Sequence, residues 1–241
     1  MEEKFKKNVG KGEKFPFLSE PGHVISIVGA GGKTSLLYDL AQRFADNGLR
    51  TAVLTTTKIY QPQAFCESIE ACRTNWGRGC YAVCGTVISR EKLGCPSKEV
   101  LKQILLEAQA VVVEADGAAG KACKVPASHE PVILPESDIV IGVLGADVLG
   151  CTIEESCHRP HAVAAFFGCE VDHRLTEADL TEIFLSEQGL YKNVGCRSYY
   201  MVLNKCDNEE REQAGELIRQ HLWQSGKGEA ILTCFREGAD R

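Results

Sequence analysis

With 241 residues, 44% of them hydrophobic and 25% charged, the chain has the make-up of a folded globular domain, which excludes a disordered or fibrous protein. A formal net charge of −6 and the lack of an arginine-rich arm argue against binding to nucleic acid. The charged start MEEKFKKNVGKGEKF lacks the apolar centre of a secretory signal, and no apolar run approaches the roughly 18 residues that cross a bilayer. A soluble cytoplasmic protein without a membrane partner is expected.

Residues 23–28 (HVISIV) read as a buried strand running into Gly29-Ala30-Gly31-Gly32-Lys33-Thr34-Ser35. Over 34–47 the apolar residues Leu36, Leu37, Leu40, Ala41, Phe44 and Ala45 recur at helical spacing, and Asn47-Gly48 suits a helix end. Residues 50–55 (RTAVLT) form the next strand, ending in three threonines. Strand, glycine loop, helix and strand make the βαβ unit of a parallel sheet.

Residues 61–69 read as helix or loop, and 80–88 as two strand pieces that make a hairpin. A helix over 98–109 follows Ser97, and the unbroken apolar run 110–114 is a parallel strand. Pro126, Pro131 and Pro135 mark an ordered loop. Further on, 139–144 is a strand, 160–167 and 176–186 are helices, 199–203 is a strand, 209–220 is a helix and 230–234 supplies the last strand. These elements predict a single α/β domain over 1–241 of the P-loop NTPase-like class. It has three layers, a mainly parallel central sheet with helices on both faces, and a small hairpin insertion around 73–96.

The twelve cysteines include no CxxC pair, and without an export signal they read as free thiols. Cys151, Cys157 and His158 come nearest to a metal-ligand cluster; buried or incidental thiols are the preferred reading.

The phosphate-loop pattern GxxxxGKT needs a glycine where this chain has Ile27, so the spacing here is the shorter GxxGKT, which resembles the loop of the Mur ligase group. The chemistry carries over. Gly29, Gly31 and Gly32, with Ala30 between them, let backbone amides curl around phosphate oxygens, and the following helix sets its positive end beneath them. Lys33 reaches the β/γ-phosphates and the Thr34 hydroxyl can ligate Mg²⁺, with Ser35 closing the loop. Nucleoside triphosphate and magnesium are the expected ligands.

Such a site also needs a carboxylate at the end of a neighbouring strand, to hold the metal or orient a water. The segment VVVEADGAAGK offers Glu114 first and Asp116 second, the alternative being that one of them only caps the next turn or binds loop amides. Thr55, Thr56 and Thr57 lie where parallel sheets bind ligands, and Thr56 is a candidate for metal-bound water; the alternative is that threonines simply favour strands. Asp147 is a further, weaker acidic candidate. Asn204-Lys205-Cys206-Asp207 resembles the NKxD guanine-recognition motif, in which Asp207 accepts from the base, Lys205 packs along it and Asn204 braces loops. A plain strand-to-helix cap is the competing reading, so the nucleotide is GTP or ATP, with guanine preferred. His158 is a candidate acid/base and Arg159 an anion contact, with a solvated helix entrance as the alternative, and His129 and Glu130 are candidates to stand over the cleft.

Taken together, residues 28–35 (VGAGGKTS), 55–58 (TTTK), 114–120 (EADGAAG), 124–133 (KVPASHEPVI), His158-Arg159-Pro160 and 203–207 (LNKCD) resemble the YqeC family. That family is described as selenium-dependent molybdenum hydroxylase accessory or selenium cofactor biosynthesis proteins. The resemblance implies a P-loop accessory factor whose partners are a molybdenum hydroxylase or its maturation factors. It leaves open two functions: an NTPase or nucleotide-driven transferase, and a non-catalytic nucleotide-binding adaptor.

Overall fold

The computed structural model describes residues 15–77, 79–226, 228 and 230–234; the charged N-terminal segment lies outside the described residues. In chain order, its first strands and helices are β1 (His23–Gly29), α1 (Lys33–Asp46), β2 (Thr51–Thr55), β3 (Ile59–Tyr60), α2 (Ile69–Asn75), β4 (Ala82–Val83), β5 (Thr86–Ser89) and β6 (Lys92–Gly94). Then come α3 (Lys98–Glu107), β7 (Ala110–Glu114), β8 (Cys123–Lys124), β9 (Ile139–Gly145), α4 (Ile153–Ser156) and β10 (Cys157–His158). The last are α5 (Pro160–Phe167), α6 (Glu177–Leu185), β11 (Ser198–Asn204), α7 (Glu209–Gln224) and β12 (Ala230–Leu232).

Seven strands form a wholly parallel sheet in the order β12-β11-β9-β1-β7-β2-β4, with the glycine-loop strand β1 at its centre. Every residue of β2, β7 and β9 is buried, as expected for strands covered on both faces. Side-chain alternation sorts their residues between two layers. Val112, Ile141 and Val143 pack with Leu36, Leu40 and Phe44 of α1. On the other face, Val111 and Val113 meet Ile69, Cys72 and Ile104 of α2 and α3, while Val140 and Leu144 meet Val163, Phe184 and Ile218 of α5, α6 and α7. This is the three-layer α/β arrangement expected from the pattern.

Helix starts follow side-chain chemistry. Ser97 accepts from the Val100 amide, and Thr176 with Asp179 closes a reciprocal capping box that starts α6. Ser68 accepts from the Ala71 amide, which delays α2 to Ile69 and leaves 61–68 as loop.

The expected hairpin over 80–88 is corrected. Buried Ala82-Val83 joins the edge of the main sheet beside β2, parallel to it, because both side chains find core there. The hairpin is instead β5 with β6, to which β3 adds a third antiparallel strand; it falls within 73–96 except for β3. Among the described residues no helix is long and apolar enough to cross a membrane.

Phe44 is fully buried and stacks on Phe17 with ring centroids 6.3 Å apart. Phe44→Ala is expected to cost roughly 3–5 kcal/mol through lost burial and a residual cavity. Denaturant unfolding monitored by circular dichroism checks this, and a loss under about 1 kcal/mol would show that the α1–sheet layer is not the packed core described.

Candidate functional site

The glycine loop leaves the C-terminal end of β1, where its neighbours β7 and β9 also end. Gly29, Gly31 and Gly32 have φ of 99°, 78° and 123°, a region that L side chains rarely adopt. Space imposes the same choice: a Cβ on Gly31 would strike the Gly145 backbone, and one on Gly32 the Asn204 amide. Buried Ala30 donates its amide to the Val143 carbonyl at 2.8 Å, and Gly31 donates to Lys121 at 3.2 Å. With Gly32 as N-cap, α1 has no side-chain cap, so the amides of its first turn, including Ser35, remain directed out of the helix end.

Two carboxylates converge on this loop from the end of β7. Glu114 Oε2 accepts from the Thr34 hydroxyl at 2.9 Å. Burial pushes the Glu114 carboxyl up, against the opposing pull of the Lys33 charge and the Thr34 hydrogen bond. Asp116, with no solvent exposure, accepts the Gly29 amide at 3.0 Å and lies 3.2 Å from Lys33 Nζ. Lys33 Nζ also donates to the Gly29 carbonyl at 2.7 Å. Both acids thus reach the loop, Glu114 through Thr34 and Asp116 through Gly29 and Lys33.

Behind Asp116 stands a cation that the sequence reading did not single out. Lys124 is fully buried, and its Nζ lies 3.1 Å from Asp116, 2.8 Å from Glu130 and 2.6 Å from the Gly117 carbonyl. Its signal was a lone lysine between Ala122-Cys123 and Val125, since a charge embedded in an apolar run needs counter-charges. Arg159 adds a forked pair to Glu130 at 2.8 and 3.3 Å. Burial alone would raise the Glu130 carboxyl, but bonds from Arg159 and Lys124 outweigh it and hold it at about 2. Lys33, Asp116, Lys124, Glu130 and Arg159 thus form one continuous ionic chain. His158, paired in register with Lys124, is lowered by burial and then by the charges of Arg159 and Lys124, so it stays neutral more readily than a free imidazole.

Asn204 links two segments distant in sequence. Its Nδ2 donates to the Gly31 carbonyl at 2.8 Å, and its Oδ1 accepts from Thr233 at 3.0 Å. Its motif partners are engaged elsewhere: Lys205 pairs with Asp147 at 2.8 Å, and Asp207 with Arg211 at 2.6 Å. Thr55 donates to the Glu114 carbonyl, while Thr56 commits its hydroxyl to the Val132 carbonyl at 2.7 Å and not to the Thr34–Glu114 pair. His129 is exposed on its turn and is not brought into the cluster. Cys151 donates to the Asp147 carbonyl, whereas Cys157 faces Cys123 across a bridge, so Cys151, Cys157 and His158 do not converge. No three His, Cys, Asp or Glu side chains among the described residues are grouped for a metal ion. Thr34 and Glu114 nevertheless supply two hard oxygen donors side by side, the donor type that suits an octahedral cation completed by phosphate and water.

The family model described as "YqeC protein" matches residues 25–161, which include the loop, Glu114, Asp116, Lys124, Glu130 and Arg159 but stop before Asn204. A protein described as "Uncharacterized protein YqeC" from Escherichia coli (strain K12) is 32% identical over 209 residues, covering 77% of this chain and 78% of that one.

Because the Glu130 carboxyl is depressed in the fold, its ion pairs stabilise above the unfolded value of about 4.3 and lose that contribution as pH falls towards the folded value of about 2. Glu130→Gln should therefore lower stability at pH 7, with the gap to the parent protein closing between roughly pH 4 and 2. Unfolding curves at stepped pH test this; a gap that stays constant across the acid range contradicts the ionic origin.

Proposed function

The chain belongs to the YqeC family, and we propose that it binds a nucleoside triphosphate with magnesium as an accessory factor in maturing selenium-dependent molybdenum hydroxylases. The observation that carries the nucleotide reading is the glycine loop between the central strand and an uncapped helix end, with Thr34 against Glu114 at the end of β7 and Lys33 against Asp116 just beyond it. A polyphosphate tail entering this turn takes the first-turn amides of α1 and draws Lys33 from the Gly29 carbonyl, while Asp116 keeps the lysine aligned. Thr34 and Glu114 hold the magnesium, which when bound offsets charge on the phosphate oxygens.

In an NTPase or nucleotide-driven transferase, Lys33 and the loop amides stabilise charge developing on the β/γ oxygens. His158, neutral beside this cluster, is suited to accept a proton from an attacking water or substrate oxygen, with Arg159 near it. Guanine recognition by Asp207 requires releasing its pair with Arg211, an exposed i,i+4 contact of the kind that contributes little stability. The preference for GTP over ATP rests on the resemblance of residues 204–207 to the NKxD motif. The hydroxylase role rests on the motif resemblance, and it makes a cytoplasmic hydroxylase or its maturation factors the partners.

One observation favours a second reading, a non-catalytic adaptor whose nucleotide state controls docking. Lys124 and Arg159 are both already paired with Glu130, so neither is free to meet a transferring phosphoryl group without rearrangement. Phosphate release from GTP and ATP with magnesium separates the two: tight binding without turnover, with candidate partners present, selects the adaptor.

Lys33→Ala should weaken triphosphate binding by about 100-fold or more, the loss expected for a buried charge-assisted contact to phosphate, while the far-ultraviolet spectrum stays unchanged. Titration calorimetry with GTP and magnesium measures it, and an unaltered affinity removes Lys33 from the site. Asp207→Ala should weaken GTP binding and leave ATP binding as it was; equal loss for both refutes base recognition.

A further inference from the structure

Beneath the ionic chain, β8 and β10 meet in a two-residue parallel bridge that pairs Cys123 with Cys157 and Lys124 with His158. Successive strand residues face opposite ways, so the bridge sets two thiols on one side and Lys124 and His158 on the other. Both thiols lie in the apolar core beside Ile153 and Val163, at 0% and 1% exposure, as direct register partners across the bridge. Adjacent strands run about 4.8 Å apart, inside the roughly 4.4–6.8 Å Cα separation that a disulfide spans.

We propose that Cys123 and Cys157 are a reversible disulfide site, closed by a small oxidant of the peroxide class. Cys157 is the attacking sulfur. Its thiol is lowered first by the hydrogen bond from Cys123, with help from the Ser156 hydroxyl 3.8 Å away and the Lys121 charge, whereas Cys123 is raised. The Cys157 thiolate attacks one peroxide oxygen, the O–O bond breaks, and the departing hydroxide takes a proton to become water. Cys123 then attacks the resulting sulfenic sulfur, the S–O bond breaks, and a second water leaves with the Cys123 proton. Two thiols are oxidised to one disulfide as one peroxide is reduced to two waters.

An internal comparison sharpens the assignment. Cys66 and Cys84 also face each other across a parallel bridge, with Cys72 touching both. There burial, then Cys72, pushes the Cys66 thiol up to about 11, and the Cys72 thiol is raised too, by its hydrogen bond to Cys84 and then by burial. Cys66 and Cys72 therefore hold little thiolate to start the reaction.

The test needs no nucleotide, so its result stands apart from the nucleotide reading. The full reduced chain is treated with hydrogen peroxide, remaining thiols are alkylated after denaturation, and the digest is mapped by mass spectrometry. The expected result is a peptide joining Cys123 to Cys157, split again by dithiothreitol, with Cys66, Cys72 and Cys84 recovered alkylated. The same treatment of Cys157→Ser should yield no cross-linked Cys123. Recovery of Cys123 and Cys157 as separate alkylated thiols while exposed Cys80 and Cys95 are oxidised overturns the proposal, as does cross-linking of the Cys66 trio in their place.

Discussion

A lysine with no access to water sets the terms for this end of the sheet. Moving an ammonium group out of water costs several kcal/mol even after relaxation, and only well-placed counter-charges offset it. Lys124 obtains them from Asp116 and Glu130 together, with the Gly117 carbonyl as its third acceptor. Asp116 and Glu130 are in turn tied outward, one to the Gly29 amide and Lys33, the other to Arg159. The position of the glycine loop and that of the α5 entrance are therefore not independent. Removing Lys124 would leave Asp116 and Glu130 with one counter-charge each, Lys33 and Arg159, in a medium that punishes poorly paired ions.

The fold was legible where chemistry is local. Glycines at Gly29, Gly31 and Gly32 announce a backbone that only glycine adopts, and the apolar spacing of Leu36, Leu40 and Phe44 announces the helix after it. Unbroken runs such as Ala110–Glu114 read as central parallel strands because neither face meets water. The edge was harder. Ala82-Val83 is too short to declare a partner, and its place beside β2 is fixed by core contacts with residues distant in sequence.

The site was legible to the same depth. Glu114 and Asp116 follow from a strand end next to the loop, and Asn204 from the end of another strand. What the sequence could not convey was who pairs with whom across long separations. Lys124 meets Asp116 through a turn, Arg159 meets Glu130 over 29 residues, and Lys205 finds Asp147 over 58. A motif such as Asn-Lys-Cys-Asp names residue types suited to a base, yet their neighbours Asp147 and Arg211 decide what those side chains hold. Exposure separates His129 from His158 in the same way, although both histidines sit in polar, proline-flanked segments.

The Asn204 amide joins the Gly31 carbonyl, laid down early in the chain, to the Thr233 hydroxyl just beyond the final strand. On a ribosome, then, the nascent polypeptide can form its opening strand, turn and helix long before that clasp exists. The turn acquires its full support only once Thr233 has emerged, so a chain terminated before that point would carry the signature motif without the brace behind it.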